Sequence, residues 1–95
     1  MSDELWPIYR ILNDVFPDCR LSGRQYWRVL ALLYPEMSDR QLARAMSRFT
    51  GGDYHQIYND IAKASALDYT GEKEFEAIKE AFIRHGFLQQ LNESR

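Results

Sequence analysis

Apolar side chains in this chain recur at three- and four-residue intervals, and no stretch alternates apolar and polar residues as a half-buried strand would. Turn-forming residues separate five such windows, so the simplest parse is five helices and no strand. The first window covers about residues 5–16. Ile8, Ile11, Leu12, Val15 and Phe16 share one helical face, and Pro7 suits the first turn. Phe16 precedes Pro17 and is pushed out of the helical region, which ends the helix. The second window runs from about 23 to 34 behind Ser22, a good N-cap. Tyr26, Leu30, Leu33 and Tyr34 form its stripe, Trp27 stands beside it, and Pro35 stops it.

The third window, about 39–48, opens on Ser38-Asp39-Arg40-Gln41, which fits a reciprocal capping box. Leu42, Ala45, Met46 and Phe49 make its apolar face, and Thr50-Gly51-Gly52 breaks it, since paired glycines propagate a helix poorly. A fourth helix is expected at about 53–67, capped by Asp53 or Thr50, with Tyr54, Ile57, Tyr58, Ile61 and Ala64 facing inward. The fifth, about 71–85, follows Thr70-Gly71 and buries Phe75, Ile78 and Phe82, with Ala81 at the margin. His85-Gly86 reads as a stop with glycine in the left-handed conformation. Phe87, Leu88 and Leu91 are expected to fold back onto the domain, and residues 92–95 to fray.

These 95 residues make one compact all-α domain, a bundle of about five short helices with a helix-turn-helix-like central pair. An apolar content of 45% with 14% aromatics suits a folded chain. Cys19 is the only cysteine, so no internal disulfide and no multi-cysteine metal site can form. A packed thiol is expected there; Arg20 beside it leaves a reactive one open. No apolar run has the length to span a bilayer, and the acidic Met1-Ser2-Asp3-Glu4 start lacks the plan of a signal peptide. A soluble cytoplasmic location, away from membranes, is the expectation.

The net charge of −2 conceals a segregation: residues 19–50 carry +4, whereas 1–18 and 51–95 carry −3 each. The basic segment holds two arginine rows at four-residue spacing, Arg20, Arg24 and Arg28, then Arg40, Arg44 and Arg48. Both rows lie opposite apolar stripes, where solvated residues belong, and ordinary solvation explains them. Aligned in space, they would attract phosphate or an acidic protein surface, and the arginine fork suits bidentate contacts to either.

Catalytic patterns are missing. His55 and His85 fall on different helices, and no HExxH, glycine-rich phosphate loop or GxSxG elbow occurs. Glu72, Glu74, Glu76 and Glu80 alternate with Lys73 and Lys79, as on a solvated, charge-balanced helix. A non-catalytic protein without cofactor or metal is expected.

Residues 21–67 carry Leu21-Ser22-x-Arg24-Gln25, then Val29-Leu30-x-Leu32-Leu33, then Met37-Ser38-x-x-Gln41-Leu42-Ala43. This run resembles the helix-turn-helix of LuxR/GerE-type regulators and related sigma-factor domains. The resemblance implies that the first run is a scaffold helix and that the serine-led run opens the helix before the recognition helix. Residues 50–61 would then be the recognition segment, with Tyr54, His55, Gln56 and Asn59 facing base edges. A fainter likeness joins Phe16-Pro17-Asp18-Cys19 with Met37-Ser38-x-x-Gln41-Leu42-x-x-Ala45-Met46-x-x-Phe49-Thr50 and Tyr58, which looks a little like the ProQ/FinO RNA-chaperone domain. Two functions follow as expectations. One is a small regulator binding nucleic acid through the arginine-bearing helices. The other is a protein-interaction module, an adaptor, inhibitor or small subunit, docking on an acidic or apolar protein surface.

Overall fold

A computed structural model describes residues 6–18 and 20–86. The expectations placed on Cys19 and on residues 87–95 fall outside what it describes. All regular structure among the described residues is helical: α1 (Trp6–Val15), α2 (Gly23–Leu33), α3 (Asp39–Thr50), α4 (Tyr54–Ala64) and α5 (Lys73–Arg84).

Local chemistry sets most of the boundaries. Ser22 accepts from the Gln25 amide at 3.1 Å while the Gln25 side chain accepts from the Ser22 amide at 2.9 Å, a complete capping box at the start of α2. At Ser38 the first half of the box is in place, with the hydroxyl accepting from the Gln41 amide at 3.2 Å. Helix α3 runs two residues beyond the expected end. The Thr50 hydroxyl folds back to the Met46 carbonyl at 2.8 Å, and Gly51, at φ 76°, then takes the left-handed turn that ends the helix. Only Gly51, Gly52 and Asp53 separate α3 from α4, and the Asp53 carboxylate caps α4 through the Gln56 amide at 2.9 Å. Helix α4 is shorter than expected. It stops at Ala64, where Ser65 turns its hydroxyl onto the Ala62 carbonyl at 2.7 Å.

The packing order differs from the chain order. Helix α1 lies against α3 and α5, α2 against α4 and α5, and α3 against α4. These contacts close a ring, α1–α3–α4–α2–α5 and back to α1. Consecutive helices pack closely at one place only, α3 with α4. Helices α2 and α3, joined through Tyr34-Pro35-Glu36, do not pack as a pair; they make little or no contact. Each packs against α4 instead.

Inside the ring sit Leu12, Val29, Leu30, Leu33, Leu42, Met46, Ile61 and Phe82, all fully buried, so every helix contributes to one core. Each such side chain stabilises the fold by roughly 1.5–3 kcal/mol relative to exposure. Phe16 joins three elements, with its ring 6.4 Å from both Phe49 and Phe82. The buried arc of α2 is wider than its expected stripe and takes in Arg28, Val29 and Leu32. Trp27 is half-buried, its indole edge-on to Tyr26.

Candidate nucleic-acid interface

The two arginine rows meet different fates. Arg28, expected at the surface, is 7% exposed. Its guanidinium makes a two-pronged ion pair with Glu72, donates to the Arg24 carbonyl at 3.0 Å, and lies 4.4 Å from the centre of the Tyr69 ring. Glu72 occupies the N-cap position of α5, so this pair clamps the start of α5 to α2. Arg24 is exposed, and its Nε donates to Glu74 at 2.9 Å. Salt bridges to α5 therefore occupy two of the three arginines in the first row. Hydrogen bonding from Arg28 holds the Glu72 carboxyl below its ordinary range, and the same bond raises Arg28. Arg20 remains exposed at the rim of a cleft of about 550 Å³, whose walls include Leu21, Tyr26, Asp53, Gln56 and Ile57.

The second row stays at the surface. Arg40, Arg44 and Arg48 are all exposed along the outer side of α3, opposite Leu42, Ala45, Met46 and Phe49. Four residues of helix separate each from the next, about 6 Å along the axis. Arg40 and Arg44 have no acidic partner among the described residues. Arg48 lies over the Tyr9 ring of α1, 5.7 Å from its centre.

Helix α4 packs against α3. His55 and Asn59 are exposed, and Tyr54 is half-buried. Gln56 is exposed but occupied: its amide donates to Asp60 at 3.0 Å. Asp60, the sole carboxylate within α4, is 7% exposed and also accepts from the Tyr26 hydroxyl at 2.6 Å. Burial, then the Asp60 hydrogen bond, pushes the Tyr26 phenol well above its ordinary range. This tie joins α2 to α4 and turns the negative charge of α4 inward. Its exposed positions are His55, Gln56, Tyr58, Asn59, Ala62 and Lys63.

Tyr58, expected to face the core, is 39% exposed. Sequence reasoning also passed over Asp60, although the spacing held the signal. Positions 57, 60, 61 and 64 form one helical face, so an aspartate there faces the core and needs a partner.

No helix among the described residues is long and apolar enough to cross a membrane, and no three His, Cys, Asp or Glu side chains come together as a metal ion would require. His85 lies 3.8 Å from Asp14, across the α1–α5 contact and away from α4. Comparison with known proteins adds no relative: no protein-family model, curated protein or solved structure matches the chain.

Proposed function

We propose that this chain is a small non-catalytic regulator that binds nucleic acid through the outer side of α3 and the adjoining exposed side of α4. The observation that carries the reading is the pairing of two exposed arginines of α3, Arg40 and Arg44, which have no acidic partner among the described residues, with a helix whose one internal carboxylate, Asp60, is turned inward. Arg40, Arg44 and Arg48 supply phosphate contacts, which fix register and orientation, while His55 and Asn59 present hydrogen-bonding groups to bases. The three-residue, glycine-containing connection between α3 and α4 is in keeping with the resemblance to a helix-turn-helix pair. Arg28 acts inside the fold and Arg24 pairs with Glu74 at the surface, both toward α5, and neither is part of the proposed interface.

The test is a fluorescence-anisotropy titration of labelled DNA and RNA at low and at moderate salt, using wild type and the variant Arg40→Glu/Arg44→Glu/Arg48→Glu. Wild type should bind with an affinity that drops as salt rises, and the variant should lose that binding while keeping its helical content. The absence of salt-dependent binding to every oligonucleotide sinks the reading. A stoichiometric acidic protein recovered by crosslinking in that case, and lost in the variant, would establish the protein-interaction alternative.

A further inference from the structure

The exposed side of α4 opens with a cluster of rings. Tyr54 leans on the core, with His55 edge-on at 5.4 Å between centroids and Tyr58 tilted at 6.1 Å. His55 and Tyr58 flank the braced Tyr54 and are themselves exposed. Asn59 and Lys63 are exposed on the same helix. Helix α3, the closest neighbour of α4, carries the arginine row, and Arg48 adds a cation over the Tyr9 ring. Exposed rings on one helix and cations on the helix packed against it are the two parts of a surface that takes base faces on one and phosphates on the other.

A duplex fits this surface poorly. Its bases are stacked on one another and offer only their edges in the grooves, so a protein ring reaches a base face only by unstacking the step. Duplex DNA also presents one charge per roughly 1.7 Å, about twice the axial density of one strand. Three arginines on a chain of net charge −2 offset little of that. Unpaired strands supply open base faces and a thinner line of phosphates.

We infer that the nucleic acid bound by this protein is single-stranded, with bases stacking on Tyr58 and His55 and phosphates following Arg40, Arg44 and Arg48. The inference rests on the nucleic-acid reading above and narrows it to one class of ligand. Tyr58 is the residue to test, because its exposure lets it be truncated without opening the core.

The experiment compares labelled single-stranded RNA and DNA of mixed sequence with hairpin duplexes of the same sequences, by anisotropy at low salt. The proteins are wild type, Tyr58→Ala and Tyr58→Phe, each checked for helical content. Single strands should bind at least roughly tenfold tighter than duplexes. Tyr58→Ala should weaken single-strand binding by roughly 5- to 150-fold, the range expected for one lost base–aromatic stack, and Tyr58→Phe should restore it. Duplex binding as tight as single-strand binding, or tighter, overturns the inference and leaves the nucleic-acid reading standing. Single-strand binding that Tyr58→Ala leaves unchanged removes the ring platform and overturns it as well. Binding to neither form at any salt brings down both.

Discussion

Asp60 shows how one buried charge shapes a surface. A carboxylate on the inward face of α4 is costly unless hydrogen-bonded, and here Tyr26 and Gln56 donate at 2.6 and 3.0 Å. Removing the phenol leaves the buried carboxylate short of a donor. Tyr26→Phe should therefore lower stability by about 1–3 kcal/mol, measured by urea unfolding at neutral pH. It should also remove an alkaline sensitivity. Because the folded state raises the Tyr26 pKa above the ordinary 10.0, this group's contribution is full below that pH and is lost as pH rises. Equal stability of wild type and Tyr26→Phe would contradict the tie. The inward placement of Asp60 was legible in its spacing with Ile57, Ile61 and Ala64. The identity of its donor was not, because Tyr26 lies 34 positions away and only the tertiary fold brings the two together.

At the scale of elements, the helices themselves were the legible part. Capping serines, glycine breaks and Pro17 and Pro35 act on immediate neighbours, so their effects are written locally. Partner choice is not local. The four-residue arginine spacing of α2 matched that of α3, yet α2 packs beside the acidic start of α5, and Arg24 and Arg28 meet Glu74 and Glu72 there. This clamp has a pH signature. The folded state depresses the Glu72 pKa below the ordinary 4.5, so its contribution is present above that pH and is lost as pH falls through the folded value. Glu72→Gln should be less stable than wild type at pH 7, and the two denaturation midpoints should converge as pH falls below about 4.5. Some acid sensitivity should persist in the variant, because the Thr70 hydroxyl and amide hold Asp68 low in the same window. Parallel midpoint curves for the two proteins would show that the clamp adds nothing to stability.

Over the whole molecule, what matters is the charge left uncompensated after folding. The +4 of residues 19–50 overstates the available field, because Arg24 and Arg28 meet Glu74 and Glu72 from the acidic segment. Folding ties part of the segregated charge into ion pairs and leaves Arg40 and Arg44 exposed on α3 with no acidic partner among the described residues. The exposed charge of α3 sets a quantitative limit on binding. If Arg40, Arg44 and Arg48 each displace one counterion from a single strand, log K should fall with log salt at a slope of about −2, so affinity should drop roughly 20-fold between about 50 and 200 mM salt. Exchanging all three for glutamine should bring the slope close to zero while leaving any stacking contribution in place. A wild-type slope much steeper than about −2 would mean that other cations share the interface. Lys63, exposed on α4, is the first to examine in that case, followed by Arg20 at the cleft rim. A flat wild-type slope alongside measurable binding would assign the affinity to the rings and remove the arginine row from the interface.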